Sequence, residues 1–323
     1  MKNIKILTKI INILLDGKVH YFHEIRNYLT FNNINYYINL ANKLGLFIIS
    51  KSNNSYQLLN PFTLLSKYII INYLKLKTIK LIIIPVINST NTYFINNLNN
   101  INNKCCVCIS EYQTKGMGRN GKKWINSFGN SLCLSICWLL KKPLLYNSTI
   151  SIVISIILAN LLQELGIKNI GIKWPNDLYL RNKKLAGILV EKTNINNNHY
   201  YVIGIGINLN INNSNNLLHE LNNNWINLVD IGVTINRNVL TAKIINSVYY
   251  WLIFFEQNGF NYFFNLWKKL DVFINRQVLL YNQFYNNNFI CGINRGINQY
   301  GGILIETNNV VRAYYTGSLY LGY

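Results

Sequence analysis

Acidic residues are scarce in this chain. Only 11 Asp and Glu oppose 31 Lys and Arg among 323 residues, which gives a formal net charge of +20 at pH 7. Such an excess of cations usually suggests nucleic acid, membrane surfaces or acidic partners. The sequence is also rich in Asn, Ile, Lys and Tyr, whose codons are AT-rich, so mutational bias can account for much of the charge. The charge therefore identifies no partner by itself.

Patterns of metal ligands and of covalent catalysis are also missing. The six cysteines contain one CxxC spacing, Cys105 to Cys108, but it lies in an apolar run and no second pair accompanies it, so they do not mark a zinc or redox site. Cys106 and Cys108 alternate within CCVCIS, as side chains that face a core do. His20 and His23 have a spacing that could bind a metal, but no second ligand pair accompanies them. No Ser-His-Asp or Cys-His pairing suggests a covalent intermediate.

Long apolar runs are absent too. No window reaches the roughly 18 to 20 apolar residues that span a bilayer. We predict that the longest run, Thr149–Leu162, is a buried helix capped by Ser148. The first 17 residues resemble a secretory signal only superficially, because Asn12 interrupts the apolar stretch and no small-residue cleavage site follows. We therefore expect a cytoplasmic protein with reduced cysteines.

The N-terminal segment predicts a DNA-binding domain. Helical periodicity at 2–15, 22–29 and 33–44, followed by strands at 46–50 and 56–59, is typical of a winged helix-turn-helix. Candidate DNA-reading side chains on its third helix are Asn33, Asn35, Tyr36, Asn39 and Lys43. Only one is cationic, although phosphate contacts supply much of the affinity for DNA. Both a working DNA-binding module and a scaffold that no longer binds DNA fit this helix.

The rest of the chain predicts an α+β fold with two further domains. A linker helix near 64–75 follows Pro61. Strands are predicted at 80–87, 105–111, 131–140, 168–174, 185–192 and 200–209, with helices at 90–99, 149–165 and 238–257, which suggests a mixed sheet backed by helices. Short apolar runs at 277–281, 289–294, 302–306 and 310–314 suggest a small SH3-like β barrel. The predicted domains are 1–63, 64–270 and 271–323.

The segment Glu111–Trp124, EYQTKGMGRNGKKW, concentrates glycine and positive charge in one loop. Gly116, Gly118 and Gly121 allow close approach of the backbone to an anion, and the basic residues between them add charge. The spacing matches neither a Walker A loop nor a GxGxxG loop. A phosphate-binding loop and a solvated basic turn are both consistent with it.

Two downstream segments favour the phosphate-binding interpretation. In KWPNDLYL, which begins at Lys173, the Pro-Asn-Asp sequence predicts a turn, and the apolar run in KKLAGILVE predicts the next strand. We expect Asp177 and Lys184 near opposite ends of this hairpin. In YYVIGIGINLNI, Gly204 and Gly206 interrupt an apolar strand, which indicates that something approaches the backbone closely there.

Together these motifs resemble those of biotin protein ligases, most closely the bacterial bifunctional kind that also represses the biotin operon. The similarity runs over nearly the whole chain. It rests on the segments Ser89-Thr90-Asn91, Glu111-Tyr112-Gln113, Gly116–Trp124, Lys173–Tyr179, Lys184–Gly187 and Gly204–Asn208.

The resemblance implies a reaction in two halves. Biotin's carboxylate attacks the α-phosphate of ATP, with Mg2+, to give biotinyl-5′-AMP and pyrophosphate. A lysine of the biotin carboxyl carrier protein of acetyl-CoA carboxylase then takes the biotinyl group. Further implied partners are biotin operator DNA and a second copy of the chain in the presence of biotinyl-adenylate; no membrane is implied.

Residue roles follow from the same resemblance. Arg119 and Lys184 would be the catalytic cations. Biotin would contact Ser89, Thr90, Asn91, Gln113, Met117, Gly118, Arg119 and Lys184. ATP or the adenylate would contact Gly116, Gly121, Lys122, Trp124, Asn176, Asp177, Gly187, Gly204, Gly206, Asn208 and Trp225, with Asp177 a candidate ligand for magnesium. Simpler structural roles compete: Ser89 or Thr90 could cap a helix, and Pro-Asn-Asp could be a plain turn.

The glycine-rich loop departs from the family pattern GRGRxGR. Met117 replaces its first arginine, and Asn120 lies at its variable position, where a basic residue is common. We therefore expect a ligase with a weaker hold on the adenylate. Two alternatives remain open, a lipoate or octanoate ligase or transferase on the same scaffold, and a transcription factor that only senses biotinyl-adenylate.

Overall fold

Three sheets follow one another along the chain. The computed structural model describes residues 2–28, 33–101, 103–140, 143–195, 198–211, 224–281 and 289–322. The sheets contain three, seven and five strands, in that order.

The first sheet packs with three helices. Its elements are α1 (Lys2–Leu14), β1 (His20–Tyr21), α2 (Phe22–Ile25), α3 (Ile34–Lys43), β2 (Ile48–Lys51) and β3 (Ser55–Leu58). The predicted second helix is shorter than expected, because residues 26–28 form a 3-10 turn. The turn between β2 and β3 uses Asn53 and Asn54 at φ of 61° and 50°, a backbone region that asparagine tolerates well. The two-residue strand β1 was not predicted, since it is too short to show a period.

The α+β prediction is confirmed for the central part of the chain. After α4 (Lys67–Tyr73), its elements are β4 (Lys80–Ile87), α5 (Thr90–Asn97), β5 (Cys105–Gln113), β6 (Ser131–Leu140), α6 (Asn147–Glu164), β7 (Gly171–Lys173), β8 (Asp177–Leu180), β9 (Lys183–Ile195), β10 (Asn198–Asn208), α7 (Arg237–Asn258) and α8 (Asn261–Leu270). The sheet order is β4-β5-β6-β10-β9-β8-β7. Only β4 and β5 run parallel, so the sheet is mixed.

Several local predictions in this part were wrong. The strand predicted at 168–174 covers only Gly171–Lys173, since the left-handed φ of 61° at Asn169 turns the chain just before it. The Pro-Asn-Asp segment is more than a turn, because Asp177 begins β8. Ser148 does not cap α6: the N-cap is Tyr146, and the Ser148 hydroxyl is buried without a hydrogen-bond partner. The short helix α8 was not predicted.

Helix α6 forms the centre of the main core. It contacts β9, α7 and α8, which explains why its residues are apolar around the whole helix rather than on one face. Within the described ranges it is the one helix long and apolar enough to cross a membrane by those two criteria. However, 78% of it is buried inside the protein. The prediction of a buried core helix is therefore confirmed.

The C-terminal sheet is open rather than closed. Its strands are β11 (Gln277–Tyr281), β12 (Phe289–Ile297), β13 (Ile303–Thr307), β14 (Val310–Tyr314) and β15 (Ser318–Leu321). In the order β14-β13-β12-β11-β15, the two edge strands do not pair with each other in the described part of the chain. The predicted barrel is therefore not found, because strand periodicity does not encode closure. The unpredicted strand β15 lies at the cavity described below.

The helices and strands from α1 to β3 form an N-terminal unit. Residues that follow the glycine-rich loop bind this unit to the central sheet. Phe128 is fully buried in the hydrophobic core formed by α1, α3 and the first sheet. Its backbone N–H donates to the carbonyl of Leu44 at 2.9 Å, and the Ser127 hydroxyl donates to that of Gly45 at 2.8 Å. Only four residues, 125–128, therefore lead from the end of the glycine-rich loop at Trp124 into the core of the N-terminal unit.

A buried ion pair holds the linker that joins these units. Glu111, a member of the Glu-Tyr-Gln motif, accepts a hydrogen bond from the backbone N–H of Leu65 at 2.6 Å. Its other carboxylate oxygen lies 2.5 Å from Arg237 on α7. Both charged side chains are almost completely buried, at 3% and 4% exposure. The role of Glu111 is therefore structural.

Candidate active site

The glycine-rich loop forms a short hairpin. The backbone N–H of Gly118 donates to the carbonyl of Lys122 at 2.6 Å, and that of Trp124 donates to Gly116 at 2.9 Å. Asn120 and Gly121 have φ of 55° and 73° at its tip, the signature of a type I′ turn. Asn120, which looked like a lost cation in the sequence, thus has a conformational reason to be asparagine.

One end of the site is a network of buried hydrogen bonds. Gln113 Oε1 accepts from both the backbone N–H and the hydroxyl of Thr90, at 2.8 and 3.1 Å. The Ser135 hydroxyl lies 2.6 Å from the Thr90 hydroxyl and 2.5 Å from Asn91 Oδ1. Asn91 Nδ2 donates to Glu191 at 2.7 Å. These donors and acceptors are held in fixed orientations, as recognition of a polar ring requires.

Ser89 combines both of the roles considered for it. Its side chain caps α5 by accepting from the backbone N–H of Thr92 at 3.4 Å, and the residue also lines the cavity. The capping interpretation therefore holds for Ser89, while its neighbour Thr90 lies inside the helix and bonds to Gln113 instead.

Protein side chains make the close approach predicted at the strand glycines. A Cβ atom at Gly204 would lie 2.5 Å from Asn91 Oδ1, and one at Gly206 would lie 2.3 Å from the Trp124 ring. At Gly187 it would lie 3.1 Å from both Trp124 and Lys184. The three glycines therefore make room for Asn91, Trp124 and Lys184.

Cations form the other end of the site. Lys184 Nζ lies 2.7 Å from Asp177 Oδ1, so the expectation that they mark opposite ends of a hairpin was wrong. Register explains the contact: Lys184 is opposite Tyr179, which makes Asp177 its diagonal neighbour on the same face, within reach of a long side chain. The segment also contains a bulge between Leu178 and Tyr179.

Arg119 reaches from the loop to two other parts of the chain. Its guanidinium donates to Asn176 Oδ1 at 3.2 Å and to the carbonyl of Gly317, just before β15, at 3.1 Å. Burial lowers the pKa of Arg119 and the nearby Asp177 carboxylate opposes that shift. An arginine so far from its titration range remains a cation at neutral pH. It is positioned rigidly at the cavity wall.

Most of the predicted site residues line one cavity of about 210 Å³. These are Ser89, Thr90, Asn91, Gln113, Met117, Gly118, Arg119, Lys122, Trp124, Asn176, Asp177, Lys184, Gly187, Gly204 and Gly206. The predicted residues outside its wall are Gly116, Gly121, Asn208 and Trp225. Asn208 donates to the carbonyl of Lys184 at 3.4 Å, and Trp225 forms a backbone bridge with Lys184. Both residues therefore hold the backbone of Lys184 in place.

Sequence reasoning missed several residues of the cavity. Lys173 and Tyr320 line it directly, while Ser135 and Asn126 hold its polar end through Thr90 and Gln113. Asn126 exchanges two hydrogen bonds with the Gln113 backbone, at 2.8 and 2.9 Å. Lys173 stands in a recognised motif and could have been found. Tyr320 follows the loop by about two hundred residues, and no local signal predicts it.

The arrangement suits the joining of two anionic groups. Five cations line the cavity, at Arg119, Lys122, Lys123, Lys173 and Lys184, whereas Asp177 is its one carboxylate among the described residues. In those same residues no group of three or more His, Cys, Asp or Glu could hold a metal ion. The cysteines near the cavity are structural: burial raises the pKa of Cys133 to about 12. The chemistry of the site is therefore charge stabilisation beside a hydrogen-bonding pocket.

Comparisons with known proteins agree with this chemistry. Residues 83–208 match the biotin/lipoate A/B protein ligase family. The bifunctional ligase/repressor BirA of Salmonella typhimurium is 35% identical over 99% of both chains, and that of Escherichia coli is 34% identical over 99% of this chain and 98% of its own. The Aquifex aeolicus biotin protein ligase, solved in complex with biotin and ATP, shares the fold, with a TM-score of 0.64 at 24% identity over 75% of this chain and 99% of that one.

The chain therefore belongs to the biotin protein ligases of the bifunctional ligase/repressor type. The family suspected from the sequence is confirmed. The alternatives of a lipoate or octanoate enzyme and of a sensor without ligase activity are not favoured, since full-length relatives at this identity are ligases.

Proposed function

We propose that this protein activates biotin with ATP to biotinyl-5′-AMP and transfers the biotinyl group to a lysine of the biotin carboxyl carrier protein of acetyl-CoA carboxylase. The observation that carries the proposal is the single cavity that joins a fixed hydrogen-bonding pocket to a cluster of cations. A carboxylate and a triphosphate repel each other, so bringing them together requires positive charge between them.

The polar end is proposed to bind the biotin head. Thr90, Asn91 and Gln113 offer both donors and acceptors, which the ureido group needs. Trp124 lies over Gly206 and would pack along the ligand and exclude water from the adenylate. Ser89, Met117 and Gly118 complete this half of the predicted set.

The cationic end is proposed to carry the reaction. Arg119 and Lys184 would contact the carboxylate and the α-phosphate and stabilise the charge that develops as they join. Asn176 and Asp177 would contact the nucleotide, with Asn176 oriented by its bonds to Arg119 and to the carbonyl of Ile188. Gly116, Gly121, Lys122, Gly187, Gly204, Asn208 and Trp225 stay predictions as nucleotide-contacting or supporting residues.

Magnesium is proposed to enter with the nucleotide. Mg²⁺ commonly binds through one or two carboxylates plus substrate phosphates and water. Asp177 fits that pattern as a single carboxylate at the cavity, although its contact with Lys184 would have to loosen. The ion would neutralise phosphate charge when bound.

Mass spectrometry tests the ligase activity. The protein is incubated with ATP, magnesium, biotin and a carboxyl-carrier domain, and the mass of the carrier is measured. We expect a gain of one biotinyl group on one lysine, and no gain when that lysine is replaced by arginine. Transfer of lipoate but not of biotin would contradict the proposal.

Repression of the biotin operon is proposed as a second function, through a winged helix-turn-helix at 1–63. Its support is the face that α3 presents: Ile34, Tyr37, Ile38 and Ala41 are buried, whereas the predicted DNA-reading residues are exposed. Those are Asn33, Asn35, Tyr36, Asn39 and Lys43, of which Asn33 also caps the helix. Asparagine can read adenine in the major groove.

A gel shift with the organism's biotin operator DNA, at several salt concentrations, tests repression. We expect a shift that requires biotinyl-adenylate and weakens as salt rises. Asn39→Ala and Lys43→Ala should reduce it, and absence of a shift with biotinyl-adenylate would exclude repression. We also propose a homodimer that forms with biotinyl-adenylate, which sizing with and without the adenylate tests. An SH3-like β domain at 271–323 and a cytoplasmic location stay predictions.

A further inference from the structure

The cavity runs across the strands rather than along them. Gly206, Gly187, Asp177 and Lys173 are successive register partners on β10, β9, β8 and β7. Neighbouring strands lie about 4.8 Å apart, so this row extends over roughly 14 Å. The polar pocket lies at its other side, because Thr90 and Asn91 bond to Ser135 on β6. The two ends of the cavity are therefore fixed by the sheet.

Lys173 occupies the far end and has an unusual environment for a cation. Its ammonium group lies 3.3 Å from the Tyr179 hydroxyl and 5.0 Å from the centre of the Tyr320 ring. It forms no ion pair with a carboxylate in the described part of the chain. Burial lowers the pKa of Lys173, the Asp177 charge opposes this, and Lys184 and Lys122 lower it further.

A second cation joins Lys173 at this end. Lys122, on the loop hairpin, donates to the Tyr320 hydroxyl at 3.4 Å. Tyr320 therefore lies between two ammonium groups, with its ring facing one and its hydroxyl bonded to the other. Like charges held close together repel each other, and an anion that binds between them removes that repulsion. The two ammonium groups of Lys173 and Lys122 are therefore suited to bind a multiply charged anion.

In-line geometry identifies that anion. In attack on a phosphorus atom, the entering and leaving oxygens lie roughly opposite each other. With biotin in the polar pocket as proposed, its carboxylate would approach from the side of β6 and β10, and the leaving group would depart towards β7. A bond forms between the carboxylate oxygen and the α-phosphorus, and the bond to the bridging oxygen breaks, with its electron pair leaving on pyrophosphate.

We propose that Lys173, assisted by Lys122 across Tyr320, binds the β- and γ-phosphates of ATP and stabilises the pyrophosphate leaving group. This assignment rests on the proposed adenylation of biotin. Lys173 acts as a fixed charge and transfers no proton. It touches only the part of ATP that is absent from biotinyl-5′-AMP, so the two halves of the reaction should depend on it differently.

Lys173→Met tests the assignment in the full-length protein. Biotin-dependent exchange of labelled pyrophosphate into ATP reports the first half-reaction, and we expect it to fall about 100-fold. Transfer from synthetic biotinyl-5′-AMP to the carrier lysine reports the second half, and we expect no change. Biotin affinity without ATP should also be unchanged. The control is Lys183→Met, an exposed lysine at the start of β9 in the same sheet, which should leave both halves unaffected.

Lys122→Met provides a second variant, at an exposed position. We expect it to lower pyrophosphate exchange about tenfold and to leave transfer from biotinyl-5′-AMP unchanged. Equal loss in both half-reactions would overturn the assignment, since Lys173 would then contact the adenylate or the fold. Unchanged pyrophosphate exchange in Lys173→Met would overturn it as well. A wild-type protein that exchanges pyrophosphate with lipoate and not with biotin would refute the proposed function itself.

Discussion

Gly204 is the position where one added methyl group tests the polar end of the cavity. A Cβ atom there would lie 2.5 Å from Asn91 Oδ1, well inside contact distance. Alanine is favoured over glycine within a strand by roughly 0.5 to 1 kcal/mol. Displacing Asn91 breaks a buried hydrogen bond to Ser135 or Glu191, which costs about 1 to 3 kcal/mol. The cost is larger, so we expect Gly204→Ala to lose about 1 kcal/mol of stability and roughly tenfold in biotin affinity.

Calorimetric titration with biotin and chemical denaturation measure these two effects. The control is Gly204→Ala made in an Asn91→Ala background, where the clashing oxygen is gone. There the added methyl group should cost less than about 0.5 kcal/mol, because the two sites no longer interact. An equal loss in both backgrounds, or biotin affinity unchanged by Gly204→Ala, would refute this reasoning.

Three further predictions concern the loop and the N-terminal unit. Met117→Arg adds a charged contact at the cavity wall and should slow release of biotinyl-adenylate about tenfold, whereas equal release would argue against Met117 as a weak point. Phe128→Ala should lower the free energy of unfolding by about 3 to 5 kcal/mol in denaturant titrations, and a loss below about 1 kcal/mol would contradict its place in the N-terminal core. Burial lowers the pKa of His20, but hydrogen bonds with Asp16 and Glu24 outweigh it and raise the pKa above 6.5. Its stabilisation is complete below pH 6.5 and is lost as pH rises through the raised value, so the denaturation midpoint should fall as pH rises above 6.5 in the wild type and not in His20→Gln.

Long periodic elements of the fold were predictable from the sequence. The strands Lys80–Ile87, Ser131–Leu140 and Val310–Tyr314 coincide with their predicted bounds, since each contains apolar or β-branched residues that favour strands. Short elements such as β1 and β15 were missed because two to four residues carry no period. Closure of the C-terminal sheet was predicted wrongly, as it depends on curvature and not on composition.

The site was predictable to the extent that it follows motifs. Arg119 and Lys184 lie at the cavity where the resemblance implied. The contact of Lys184 with Asp177 depends on strand register, and Tyr320 reaches the loop from a different sheet. Such contacts between distant segments leave no trace in local spacing. Asn120 was interpreted as a lost charge because the turn at the loop tip was not recognised.

The row of register partners from Gly206 to Lys173 sets the length of the cavity through the backbone alone. Its spacing is set by hydrogen bonds between peptide groups, which every residue except proline can both give and accept. A genome that drifts towards asparagine, isoleucine, lysine and tyrosine can thus replace surface side chains without changing the length of the cavity. Slipping β9 by a single residue would instead turn its side chains to the opposite face. The length of the cavity therefore depends on strand register and not on the surface side chains.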